Sequence, residues 1–207
     1  AAIAAGIPVI SMNSGSDDYA SLGISAHVGQ TEFEAGVGGG QKMKAAGGKK
    51  ALCVNHEVGN VALDRRCAGF KKGFGGSVDI LGTSNDPTEI QKAVAAKLGG
   101  GYDTILTLGA GLSGEAALKA LEAAGSVGKV RLGTFDMSPN MLKAAAAGKV
   151  EFLIDQQQYL QGYLPIAIFA QYMRWGTMPA GVVMTGPGFV TPDNASAVIK
   201  WAAQGYR

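Results

Sequence analysis

The sequence predicts an α/β fold built on parallel, doubly wound sheets. Two observations carry that expectation. Short apolar stretches alternate with helix-length stretches along the whole chain, and strand–helix alternation on this scale makes parallel sheets with right-handed crossovers. The apolar stretches are also continuous rather than alternating with polar residues, which is how strands covered on both faces read. Punctuation adds a third: proline and acid open several helical stretches, and glycine closes them.

Taken in order, strands are expected over 7–12, 24–28, 50–55, 78–81, 104–108, 130–135, 150–154 and 181–184. Helices are expected over 32–46, 61–74, 87–98, 114–124, 139–147, 159–175 and 192–203. Asp86-Pro87-Thr88-Glu89 supplies an N-cap, a proline in the first turn and an acid at the third position. Thr191-Pro192 and Ser138-Pro139 repeat the cap and proline. Gly99, Gly125, Gly148 and Gly176 stand where helices should stop. Residues 1–5 read as the tail of a helix stopped by Gly6, so further chain is expected upstream.

A length of 207 residues suffices for one large domain or two small lobes. With 47% hydrophobic residues, 16% charged residues and 32 glycines, the composition is globular and rich in tight turns. A net charge of +2 gives no basic field for nucleic acid. No signal-peptide pattern opens the sequence. The most apolar helical stretch, 159–175, contains Gln161, Pro165, Gln171 and Arg174, so it reads as a core helix rather than a membrane span. Cys53 and Cys67 lack metal-ligand spacing. They read as two buried thiols or as a disulfide, which needs an oxidising compartment.

The stretch Gly133-Thr134-Phe135-Asp136-Met137-Ser138-Pro139 ends one expected strand and opens a helix. Asp136 therefore falls at the carboxyl end of a strand, where open α/β sheets place their ligands. Asp155-Gln156-Gln157-Gln158 ends the next strand and puts Gln156 at a similar level. A carboxylate and an amide aimed into one crevice pair with hydroxyl groups. They supply no nucleophile and no redox centre, and no serine or cysteine has a base at a recognisable spacing. Arg66, in a helix, could fork onto two hydroxyls or a carboxylate, whereas Arg65 reads as a solvated helix residue. His56 reads as a loop hydrogen-bonder. With only His27 beside it in the chain, neither a metal site nor a triad is expected. Asn60 reads as a helix cap with a pocket contact beside that role.

Gly109-Ala110-Gly111-Leu112-Ser113-Gly114 fits G-x-G-x-x-G after a strand, with Asp136 ending the next strand. That points to an alternative, an NAD-dependent oxidoreductase. Two features count against it. About four strands precede the motif, which usually opens its fold, and no hydride-transfer acid or base follows. No cofactor is expected.

Several stretches resemble the type I periplasmic sugar-binding proteins of ABC importers, the ribose-binding-like family. Ala4-Ala5-Gly6-Ile7-Pro8-Val9-Ile10 is similar to the helix and strand that close the family's first sheet. Residues 24–28 followed by Glu34-Ala35-Gly36 resemble its first hinge crossing. Arg66-Cys67-Ala68-Gly69-Phe70 resembles its R-x-x-G-F helix. Gly133-Thr134-Phe135-Asp136 and Asp155-Gln156-Gln157 with Gln161-Gly162-Tyr163 carry the most specific likeness, to the subgroup that binds simple sugars and polyols.

The resemblance implies a two-lobe fold with an incomplete first lobe at residues 1–28 and 155–184, and a second lobe at 29–154 and 185–207. It implies about three strand–helix units upstream. It implies a monosaccharide or polyol held in the cleft by Asn13, Arg66, Asp136 and Gln156, with Asn60 and Asn85 as further contacts. Gly109 stands where relatives carry an amide or acid, and Ser14 where the ribose pattern has arginine, so a ligand other than ribose is expected. It further implies a periplasmic, non-enzymatic protein that delivers its ligand to a membrane permease. The effector-binding core of a LacI-like transcription regulator shares this fold, but would need DNA-binding helices upstream and would normally lack a disulfide. A Cys53–Cys67 disulfide is expected, since a strand and the helix packed on it can bring two Cα atoms within bonding range. Strand 7–12 and helix 159–175 should need cover, from a missing N-terminal segment or a second copy of the chain.

Overall fold

The computed structural model describes residues 1–207 and places their strands in two sheets. The small sheet holds β1 (Ile10–Asn13), β2 (Ala26–Gly29) and β8 (Gly181–Met184), all parallel, in the order β1-β2-β8. The large sheet holds β3 (Lys50–Asn55), β4 (Ser77–Gly82), β5 (Thr104–Thr107), β6 (Arg131–Phe135), β7 (Phe152–Asp155) and β9 (Gly188–Val190). Its order is β4-β3-β5-β6-β7-β9. The chain passes between the sheets after β2, after β7 and again between β8 and β9.

Helices cover both faces of the large sheet, as its continuous apolar strands require. On one side, α1 (Glu32–Ala45) and α2 (Val61–Phe74) bury Met43, Phe70 and Phe74 against Leu106, Phe135 and Phe152. On the other lie α3 (Pro87–Lys97), α4 (Glu115–Ala123), α5 (Pro139–Ala146) and α7 (Pro192–Ala202), over Leu52, Ile105, Leu132 and Leu153. Neighbouring strand residues go to opposite cores, as a period of two demands. The expected caps are in place: Asn60, Asp86 and Ser138 each accept a backbone N–H at a helix start.

α1 and α2 meet through glycines. A Cβ on Gly69 would lie 2.0 Å from the Phe33 carbonyl oxygen, and one on Gly36 would lie 2.2 Å from that of Arg66. Gly40 and Gly73 make equally close approaches to the facing backbone. The two helix backbones therefore touch, and this fixes where Glu32, at the start of α1, meets Arg66 of α2.

Sequence and structure differ at several places. β1 starts at Ile10 and β7 at Phe152, later than the apolar runs begin. Residues 110–114 form a π-helical turn ahead of α4. The sequence reading gives no strand at 188–190, where the structure has β9 paired antiparallel to β7. Three residues are too few to display a period.

Cys53 in β3 and Cys67 in α2 form a disulfide, with Cα atoms 5.9 Å apart and a sequence separation of 14. Closing a loop of this length restricts the unfolded chain by about 3 kcal/mol in the entropy model. Replacing both cysteines by alanine is expected to lower stability by about that amount in denaturant titrations. An unchanged midpoint would show that the cross-link contributes nothing.

α6 (Gln158–Trp175) packs against β1 and β2 of the small sheet. It buries only Gln161 and Pro165 and leaves Tyr163, Ile166, Met173 and Trp175 exposed. Ile7 and Met12 are exposed as well. Large apolar residues exposed together mark an interaction surface. No helix is long and apolar enough to cross a membrane.

Candidate functional site

All strands of the large sheet except β9 run in one direction, so their carboxyl ends share an edge. Strand order reverses there: β4 lies to one side of β3, while β5 and its successors lie to the other. A crevice forms outside the strand ends at such a switch point. Backbone strain marks the same region. The non-glycine residues with positive φ are Asn13 (69°), Asp136 (64°) and Gln157 (54°). Each lies at or just beyond the end of a strand, and such conformations persist where surrounding contacts hold them in place.

Asp136 and Gln156, named from the sequence, are in contact. Gln156 Nε2 donates to Asp136 Oδ1, and Gln158 Nε2 donates to the same oxygen at 3.0 Å. Asp136 Oδ2 takes no hydrogen bond from the protein. Gln156 is 2% exposed, and its Oε1 has no partner in the protein. A buried acceptor without a partner costs about 1–3 kcal/mol, so it stands out in a packed structure.

Asn13 joins this group through a residue the sequence reading did not assign. Its Nδ2 donates to Gln161 Oε1 at 3.0 Å. Gln161 Nε2 donates to the Gln156 carbonyl and to Thr185 Oγ1, both at 3.1 Å. Thr185 Oγ1 donates to the Gln156 carbonyl at 2.7 Å. Gln157 Nε2 reaches the Thr185 carbonyl at 2.6 Å. One buried polar network thus ties the end of β1 to two of the crossings between the sheets. Beside it, burial pushes the Asp155 carboxyl up, against the Gln157 N–H and the Arg207 guanidinium that hydrogen-bond to it.

Arg66 takes a different place from the one its sequence suggests. It is 5% exposed, and three of its five N–H donors go to protein acceptors. Nε donates to Glu32 Oε2 at 2.5 Å, Nη2 to Glu32 Oε1 at 3.2 Å and Nη1 to the Leu108 carbonyl at 3.1 Å. Its guanidinium carbon also lies 4.4 Å from the Phe135 ring centre. Its other two N–H donors make no hydrogen bond within the protein. Glu32 is 34 residues from Arg66 in sequence, which is why no local pattern announces the pair.

Asn60 caps α2 and also lines a cavity of about 220 Å3 with Ser14, Asp17, Glu32 and Arg65. Arg65, read from sequence as solvated, pairs with Asp17 across this cavity, joining α2 to the loop after β1. Asn85 is exposed in the loop after the edge strand β4 and makes no side-chain hydrogen bond with the protein. It stands apart from the group around Asp136.

Two sheets joined by three crossings, with strained polar residues at strand ends, make a two-part α/β architecture. Comparison with known proteins places it further: the chain belongs to the periplasmic binding protein domain family, whose pattern matches residues 1–177. A carbohydrate transporter protein from Acidothermus cellulolyticus, solved in complex with myo-inositol, is 34% identical, with a TM-score of 0.91. That match covers 100% of this chain and 73% of the other. A periplasmic ribose ABC transporter protein from Conexibacter woesei shares the fold at 22% identity and a TM-score of 0.84, over 99% of this chain and 71% of its own. The xylose/arabinose-binding protein of Sulfolobus acidocaldarius is 26% identical over 93% of this chain. The chain spans about half the length of that curated relative, 52%.

Proposed function

We propose that this chain belongs to the solute-binding component of an ABC importer and that it binds a neutral monosaccharide or polyol in the cleft between its two sheets. The observation that carries the reading is the pairing of Gln156 and Asp136. A buried amide oxygen without a partner stands beside a carboxylate with one open oxygen, both at strand ends. Hydroxyl groups are the donors such a pair takes. Arg66 keeps two N–H groups for hydroxyl oxygens, and Asn13 meets the ligand from the small sheet. Closure about the crossings then hands the ligand to a membrane permease. The likeness to a protein solved with myo-inositol supports this class of ligand.

The setting that goes with this role is the periplasm, and the disulfide favours it over the regulator reading. The exposed face of α6 and β1 takes a cover in the working protein, a further segment or a second copy. The dinucleotide reading has less support. The glycine motif follows β5, the third strand of its sheet in chain order, and not the first. Gly114 packs on Thr134 and Met141, which accounts for that glycine without a cofactor.

Calorimetric titration with myo-inositol, D-ribose, D-xylose, D-glucose and NAD tests the proposal. Binding of at least one sugar or polyol, and none of NAD, is expected. Tight NAD binding with no response to the others would sink it.

A further inference from the structure

We infer that His56 is a ligand-contacting, specificity-determining residue: its imidazole fills the room that Gly109 leaves and presents Nε2 as an acceptor to a ligand hydroxyl. The inference rests on the sugar or polyol reading above and adds a residue and a donor–acceptor polarity to it.

Register places the residue. Val54 of β3 pairs with Thr107 of β5, and Thr107 pairs with Thr134 of β6. Two residues further along each strand come His56, Gly109 and Asp136, so they form one row across the carboxyl edge. His56 and Gly109 flank the switch point, and Asp136 is next along. Gly109 has an extended backbone, with φ −165°, that any residue could adopt, so its missing side chain is a matter of space. A Cβ there would lie 3.2 Å from His56 Cε1 and 3.5 Å from Nε2. The ring therefore leans over Gly109, towards the Asp136 end of the row.

Hydrogen bonding sets the tautomer. Ser113 Oγ donates its single proton to the Gly109 carbonyl at 3.0 Å. Its contact with His56 Nδ1 at 3.3 Å must then run the other way, with Nδ1–H donating. In the neutral ring this leaves Nε2 as an acceptor. Nε2 makes no hydrogen bond within the protein, and unlike Nε2 of His27 it is not sealed from solvent. Burial holds the imidazole below its ordinary titration range. Glu57 and Asp136 oppose that shift, and Arg66 reinforces it. The ring is thus neutral at pH 7. His56 Nε2, Asp136 Oδ2 and Gln156 Oε1 then form a line of acceptors, suited to a ligand that donates several hydroxyl protons.

The test is titration of the whole chain with myo-inositol, D-ribose, D-xylose and D-glucose. For whichever of these the wild type binds, His56→Ala is expected to weaken affinity about tenfold, the loss of one hydrogen bond. Gly109→Asn added to His56→Ala places an amide in the vacated volume and is expected to recover most of that loss. Wild-type affinity should hold at pH 7 and above and fall only on acidification through a pKa that burial has moved below the ordinary imidazole value, as Nε2 turns from acceptor to donor. His56→Gln, which cannot titrate, should lose that pH response. A merely structural histidine would lower the melting temperature without moving affinity or its pH profile. Equal affinity of wild type and His56→Ala for a probe that binds would overturn the inference alone. Wild type binding none of the four probes would overturn the sugar reading with it.

Discussion

Glu32→Ala is expected to lower the stability of this chain by about 3–5 kcal/mol in denaturant unfolding. Glu32 and Arg66 have side chains only 4% and 6% exposed, and they meet in a two-point contact. Removing the carboxylate leaves a buried guanidinium with one carbonyl and one aromatic face for company. Solvent screening does little at this depth, so the full penalty of an uncompensated charge applies. Glu32→Gln keeps the volume and one acceptor, and is expected to cost less. Replacing both residues by apolar ones of similar size, Glu32→Leu with Arg66→Met, should restore much of the stability, because desolvation of the pair offsets most of its attraction. A Glu32→Ala variant within about 0.5 kcal/mol of wild type, the ordinary range for surface substitutions, would show that the pair is more hydrated than its burial implies.

The glycines between α1 and α2 explain how this pair is held. Because Gly36, Gly40, Gly69 and Gly73 let the backbones touch, Glu32 reaches Arg66 without straining either side chain. The sequence displays those glycines, but it does not say which helices face one another. That limit recurs across the molecule. Strand–helix alternation, proline-led helix starts and Asp136 with Gln156 at strand ends were legible, because each depends on residues a few positions apart. The Cys53–Cys67 bond was legible for the same reason, as it links a strand to the next helix. The Arg66–Glu32 pair, the Asn13–Gln161 bond and the His56–Gly109 contact were not, because their partners lie 34, 148 and 53 residues apart. Gln161 carried a faint signal, a polar residue within an otherwise apolar helix, which a buried network accounts for. Asn85, chosen by resemblance rather than from any local pattern, lies exposed in the loop after an edge strand.

Asp136→Gly is expected to weaken ligand binding by about ten- to hundredfold, since a hydrogen bond to a charged acceptor contributes about 1.5–3 kcal/mol. Glycine is the right probe because Asp136 has φ 64°. Alanine in that left-handed conformation would add about 1–2 kcal/mol of backbone strain and confuse stability with binding. Glycine adopts it freely, so the unfolding midpoint should stay near wild type while affinity falls. Two effects combine in the loss. The open oxygen, Oδ2, disappears as a hydroxyl acceptor. Gln156 and Gln158 also lose the carboxylate oxygen that orients their amides, so the unpartnered Gln156 Oε1 is no longer held in place. Asp136→Asn tolerates the same backbone and keeps an acceptor without its charge, so it should lie between wild type and glycine. Calorimetry on the sugar or polyol that the wild type binds most tightly supplies the readout. If the glycine variant binds as tightly as wild type while Gln156→Ala does not, the amide alone carries recognition and the carboxylate is needed neither as an acceptor nor to aim it.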